Sequence, residues 1–286
     1  MIKRAAACTL GWLLCACAQG AEIFYLDRDP FTNEYVGPVG PLVLSGEIVP
    51  GDYARLVSKI AEDENRFLAQ NKLILASDQG NAAEAIKIAK LVKSLYTQVV
   101  VGPLTGPCAG ACFLIYAAAS ERGTDGANLI GIRRPGLAES EWLARSTAEA
   151  ALLEEAMQAP AREFLVQNDV PVVLVDEVFK RAPTDVYWLT EDDEKNLGAK
   201  SAAFQKFLAK NCAWTDSLER AVYAGERPID DLRELATCRI RVTQPQAHKA
   251  LATAVKEAAA GATKEITAGA VKEAAAVAAQ GSTQSK

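Results

Sequence analysis

The stretch from Gly106 to Ala119 constrains the fold more than any other part of the chain. An apolar β-run, Gln98 to Leu104, leads into a sharp glycine-bearing turn, and an apolar helix follows at once. A helix begun this way leaves its first backbone N–H groups without intrahelical acceptors. In many hydrolases such a turn presents the nucleophile, and the freed N–H groups hold a developing oxyanion. Here the presenting position is Gly110, which has no side chain to offer.

Around this turn the chain alternates strands and helices. Ile23 to Leu26 reads as a short strand, and Leu42 to Ile48 as a second that ends at Pro50-Gly51. Asp52 is a good helix N-cap, and Tyr53, Leu56, Val57, Ile60 and Ala61 follow at helical spacing. Lys72 to Ser77 is the next buried strand, broken by Asp78-Gln79-Gly80-Asn81. Ala82 to Leu95 is then a helix with Ala85, Ile88, Ala89 and Val92 on one face. Val99 to Val101 and Asn128 to Ile132 are further strands. Repeated units of this kind predict an α/β fold with a mainly parallel, buried sheet covered by helices.

Glu139 to Gln167 predicts one long, alanine-rich helix able to project from the core, with Trp142, Leu153 and Met157 available for packing. Val170 to Val175 is an apolar run broken by Pro171. Val186 to Thr190 predicts a short strand, with Thr190 capping a helix that starts at Glu191 and stops at Gly198. Phe204 to Ala236 predicts a smaller helical subdomain that ends in a strand-like Arg239-Ile240-Arg241-Val242. From His248 the composition changes to Ala, Lys, Glu, Thr and Gly. Alanine and charged residues favour helix there, but Val255, Ile266 and Val277 supply only a thin apolar stripe. The segment reads as a marginal solvated helix, with a partner-binding or membrane-surface helix as the alternative.

At the other end, Lys3 and Arg4 precede an uncharged run from Ala5 to Ala18, and small residues follow around Gly20 and Ala21. This is the layout of a secretory signal peptide over residues 1–21, with cleavage near residue 20 or 21. The alternative is a lipobox, Leu14-Cys15-Ala16-Cys17, which would lipidate Cys17 and tether the protein to a membrane. No later segment carries the ~20 continuous apolar residues of a transmembrane helix. The expected location is therefore the periplasm. Loss of Lys3 and Arg4 would take the formal charge from −5 to −7, which argues against a nucleic-acid binder of the usual basic kind.

Cys8, Cys15 and Cys17 fall within the signal, leaving Cys108, Cys112, Cys212 and Cys238. An even number of cysteines in an oxidising compartment favours disulfides over metal ligands, the more so because His248 is the only histidine. Neither a metal nor a cofactor is expected. A Cys212 to Cys238 bridge would close a loop of about 25 residues and contribute roughly 3 kcal/mol. Cys108 and Cys112 either bridge, given suitable local geometry, or form a buried thiol pair.

Five short patterns fall in one order. They are Gly46-Glu47-Ile48 followed by Gly51-Asp52, Ser77-Asp78-Gln79-Gly80-Asn81, the Cys108 to Cys112 turn, Ile130-Gly131-Ile132-Arg133-Arg134-Pro135, and Tyr187-Trp188-Leu189-Thr190 with Gly198 after it. Together they resemble the periplasmic branch of the Clp protease proteolytic subunit (ClpP) and crotonase superfamily, over about residues 41 to 200. The resemblance implies a ClpP/crotonase-like domain at 22–200, and the composition beyond it divides into a small helical subdomain at 201–245 and an Ala/Lys/Glu-rich tail, helical or disordered, at 246–286. It also implies a homo-oligomer and a peptide or protein ligand.

Peptidases of that family use Ser, His and Asp with a backbone oxyanion hole. In this chain the serine position holds Gly110, the histidine position Arg133, and the aspartate position Val186 with Asp185 adjacent. Arginine stays protonated and cannot serve as a base near neutral pH. The oxyanion-hole positions act through the backbone and fall on Gly80 and Ala111, although Gln79 replaces the first glycine of the usual pair. Ser77 and Cys108 are the replacement nucleophiles to weigh, and neither has a histidine near it in sequence. Acyl-CoA chemistry fits poorly with an exported protein. The carboxylate pairs Asp192-Asp193 and Asp230-Asp231 read as solvated helix starts.

The expectation is a catalytically silent, ClpP-like cell-envelope protein that acts as a binding or assembly scaffold. The alternatives are a serine-peptidase-like hydrolase with a non-standard nucleophile, and a structural module that associates through its alanine-rich tail.

Overall fold

The structure, a computed structural model, describes residues 20–27, 40–102 and 106–281, with side chains described as far as residue 261. The signal segment and Cys17 lie outside the described residues.

The chain builds a mixed α/β structure around a mostly parallel sheet. The strands β1 (Glu22–Tyr25), β2 (Leu42–Ser45), β3 (Lys72–Ala76), β4 (Gln98–Val101) and β6 (Glu121–Thr124) lie side by side in the order β1-β2-β3-β4-β6. Only the β1–β2 pair is antiparallel. A second, three-stranded sheet joins β5 (Cys108–Ala109), β7 (Ile130–Ile132) and β8 (Tyr187–Trp188). Leu42, Leu44, Leu73, Leu75, Val99 and Val101 are buried at every register. Lys72, Ile74, Gln98 and Val100 between them are only partly buried, so β3 and β4 have one fully buried face.

Helices cover the sheet much as the periodicity predicts. In α1 (Asp52–Glu62), Leu56, Val57 and Ile60 are buried; in α3 (Ala82–Ser94), Ala85, Ile88, Ala89 and Val92 are buried. Asn81 caps α3 by accepting from the Glu84 N–H at 2.8 Å. The wholly buried Asp52 carboxylate accepts from the backbone N–H of Ala21 at 3.1 Å and of Val49 at 2.9 Å, and pairs with Arg55. It thereby ties the start of β1 to the entrance of α1. Thr190 caps α8 (Glu191–Leu197) in a capping box with Asp193, and the same carboxylate accepts from the Tyr187 hydroxyl at 2.9 Å. Asp193 is thus a structural anchor as well as a helix start.

Several elements depart from the sequence reading. The strand that feeds the Gly110 turn is the two-residue β5, which belongs to the second sheet; β4 ends at Val101. The turn into α4 (Ala111–Ala118) therefore lies between the two sheets. The helix expected over residues 139–167 is two, α5 (Glu139–Leu143) and α6 (Thr147–Gln167), because Ser146 caps α6 in a box with Glu149. Burial of Ala150, Ala161, Phe164 and Leu165 packs α6 onto the core. The residues after Pro171 form α7 (Val172–Lys180), which buries Leu174, Val175 and Val178.

The strand-like Arg239 to Val242 lies inside a helix, α11 (Asp230–Gly281). Local β-preference loses there to tertiary anchors. Arg239 pairs with Glu121 at 2.7 Å, and Cys238 lies within bonding distance of Cys212 at the end of α9 (Ala202–Cys212), with Cα atoms 5.9 Å apart. The helix crosses residue 246 without a break, and Ala247, Leu251 and Ala254 are buried against the core. Among the described residues no helix is long and apolar enough to cross a membrane.

Candidate functional site

The ends of both sheets meet at one cleft of about 420 Å³. Its lining includes Gly80, Gly110, Ala111 and Arg133, four of the positions singled out in the sequence. The walls that sequence reasoning missed come from the segment before α5 and from α5 and α6: Leu137, Glu139, Trp142 and Glu154. Their approach depends on the break between α5 and α6, and the Ser146-Glu149 spacing of a capping box was the available signal for it.

Gly80 follows β3 and bridges Ile48 in parallel. A Cβ on Gly80 would fall 2.6 Å from Ile48, and its φ of 144° disfavours an L side chain, so close approach of the two backbones demands glycine here. Gln79 O accepts from the Ile48 N–H at 3.3 Å, and the Asn81 N–H donates to Ile48 O at 2.7 Å. In a trans peptide the carbonyl of residue 79 and the N–H of Gly80 point in opposite directions. The Gly80 N–H therefore points away from Ile48, to the side on which the Ala82 N–H donates to the carbonyl of the cleft residue Gly136 at 3.0 Å.

Gly110 has φ 58° and ψ −114°, the geometry of the first central residue of a type II′ turn, which glycine fills. Its flanks are fixed. Cys108 and Cys112 are wholly buried within bonding distance, Cα atoms 5.3 Å apart, so the pair brackets the turn. Ala111 opens α4, and its N–H has no intrahelical acceptor.

The side chain of Arg133 decides what the cleft can hold. Arg133 lies over Gly110: a Cβ on that glycine would meet Arg133 Nε at 2.9 Å and Cγ at 3.4 Å. The guanidinium donates to Asp78 O at 2.6 Å and to Pro183 O at 3.0 Å, bolting the loop after β3 to the loop before β8. Burial pushes its pKa down, with Asp78 opposing, and among the described residues it has no carboxylate ion pair. Thus the space above the turn holds a fixed cation where a seryl hydroxyl would project.

The remaining positions are not brought together. Asp185 is exposed and pairs with Arg181 at 3.1 Å, while Val186 packs against Gly131. The Ser77 hydroxyl is 2 % exposed with its residue and donates to Gln79 O at 2.9 Å. His248 Nδ1 lies 2.5 Å from Glu64 Oε1, and neither residue lines the cleft. A larger groove of about 770 Å³, lined by Tyr53, Lys90, Tyr96 and Lys249, holds none of the positions read from the sequence. Among the described residues no three His, Cys, Asp or Glu side chains are placed to hold a metal ion.

Among solved structures, the chain is similar to ClpP1 from Listeria monocytogenes. The identity is 16%, the TM-score 0.37, and the match covers 56% of this chain and 88% of that one. A point mutant of the same ClpP1 matches with 19% identity, the same TM-score and the same coverage. No family model and no curated protein matches the chain.

Proposed function

We propose that the protein is a catalytically silent, ClpP-like component of the bacterial cell envelope, whose cleft binds a peptide or protein ligand without turning it over. One observation carries this reading: the Arg133 guanidinium fills the space over Gly110. A nucleophile has no side chain to come from, and the residue in the base position cannot accept a proton near neutral pH. The replacement nucleophiles are committed elsewhere, Ser77 to Gln79 O and Cys108 to Cys112. What survives of a hydrolytic site is the part built from backbone N–H groups, which serves recognition as well as catalysis. Export and self-association belong to the same proposal and rest on the N-terminal sequence and on the family resemblance.

Fluorophosphonate labelling tests the reading. Wild-type protein should remain unlabelled and should not hydrolyse peptides. The double variant Gly110→Ser with Arg133→His should label slowly, because it supplies a hydroxyl and a base over donors that alone sustain roughly 10³-fold catalysis in a comparable serine protease. Neither single variant should label. Stoichiometric labelling of the wild type would overturn the proposal.

A further inference from the structure

We infer that the cleft is a receptor for a carboxylate, in particular the C-terminal carboxylate of a peptide; this rests on reading the site as non-catalytic. Three donor-bearing residues line the cleft. The Gly80 N–H points away from Ile48, on the side of Gly136, and the Ala111 N–H opens α4 beside Gly110. The third is the Arg133 guanidinium, whose Nε edge faces Gly110. Its two hydrogen bonds, to Asp78 O and Pro183 O, use two of five N–H groups. Both acceptors are neutral carbonyls, and the opposing charge that acts on the half-buried cation is that of Asp78. A hydrolytic site meets negative charge only as it develops on the oxyanion. A cation fixed beside the same backbone donors instead suits an anion that is already formed, and charge-assisted bonds of this kind are the stronger ones.

The rest of the lining selects the kind of anion. Arg133 and Arg134 are balanced by Glu139 and Glu154, so the cleft has no surplus positive charge for a dianion such as phosphate. Leu137 and Trp142 give an apolar wall for a side chain, and the Glu139 and Glu154 carboxylates give acceptors for amide N–H groups. A monoanion, an apolar side chain and amide donors occur together at the C-terminus of a peptide. A simple fatty acid lacks the donors. The volume of about 420 Å³ lies within the ~300–1,000 Å³ typical of small-ligand pockets, enough for a terminal residue and part of its neighbour.

The test uses the ¹⁵N-labelled exported protein, titrated with N-acetyl-leucyl-alanine and, separately, with its carboxamide. The acid should shift the Gly80 and Ala111 amide resonances saturably, and the carboxamide should bind at least about tenfold more weakly, as loss of a charge-assisted contact implies. In Arg133→Gln the acid should lose about tenfold or more and approach the carboxamide. If that variant fails to fold, the acid and carboxamide pair on wild-type protein still decides the matter. Equal binding of the two, acid-induced shifts confined to the groove around Lys90 and Lys249, or no shift at all would overturn the inference. Fluorophosphonate labelling of the wild type would instead overturn the non-catalytic reading, so the two failures are distinct.

Discussion

The tightest contact in the cleft makes a prediction about stability. Replacing Gly110 by alanine puts a Cβ at φ 58°, and positive φ costs an L-residue about 1–2 kcal/mol. The same Cβ lies 2.9 Å from Arg133 Nε, too close to coexist, and Nε is not the free end of the side chain. Moving it breaks the bonds to Asp78 O and Pro183 O. Hydrogen bonds from a charged group contribute about 1.5–3 kcal/mol each, so roughly 2–4 kcal/mol is expected from this source after partial re-pairing. Gly110→Ala should therefore cost about 3–6 kcal/mol, and only about 1–2 kcal/mol in an Arg133→Ala background where the clash is gone. The double variant should be more stable than the sum of the singles predicts by about 2–4 kcal/mol. Guanidinium unfolding of the four proteins, followed by circular dichroism, measures the cycle. Additivity within about 0.5 kcal/mol would show that Arg133 does not occupy the space over Gly110, and the reading of the site would fall with it.

Three further outcomes follow from other parts of the molecule. Arg122 is 6 % exposed and donates to the carbonyls of Ala117, Leu197 and Gly198, at the ends of α4 and α8; Arg122→Met strands all three, and thermal unfolding should report a loss of about 2–4 kcal/mol. Cys212 and Cys238 are 26 residues apart, so Cys212→Ser with Cys238→Ser should cost about 3–4 kcal/mol by loop entropy, and non-reducing peptide mapping of the oxidised protein should recover the linked pair together with Cys108 linked to Cys112. Burial first, then Asp63, raises the Tyr25 phenol from 10.0 to about 12. A phenol raised in the folded state contributes stability that is intact below pH 10 and is lost as pH climbs through about 12, so denaturant midpoints across that window should fall less steeply in Tyr25→Phe.

The sequence disclosed the apolar strands of the main sheet and the helices with one apolar face, because apolar runs and periodic apolar patterns are what those environments select. It hid β6, whose Glu121-Arg122-Gly123-Thr124 has no apolar residue: the inward side chain is Arg122, made soluble in the core by the Ala117 carbonyl at the end of the preceding α4 and by those of Leu197 and Gly198, 75 and 76 residues away. It also misassigned Arg239 to Val242, where the anchors are Glu121 and Cys212, far away in the chain. Within the cleft, Gly80, Gly110 and Arg133 were legible because a turn and a motif place them. The close approach of Arg133 to Gly110 was not, since it depends on where the Arg133 side chain turns.

The buried Asp52 carboxylate reaches the backbone nitrogen of Ala21, inside the stretch where a signal-type leader would be cut. In an uncut chain that nitrogen is an amide, and the contact is an ordinary hydrogen bond. Cleavage between Gly20 and Ala21 would turn it into an ammonium group lodged beside a buried carboxylate that already has Arg55 and the Val49 N–H as partners. The cut chain would then hold a buried ion pair that the precursor lacks, well hydrogen-bonded as such pairs must be to be favourable. Cleavage one residue later would delete the contact altogether. The position of the cut would thus be written into the stability of the product, and a leader peptidase would be finishing the fold as well as releasing it.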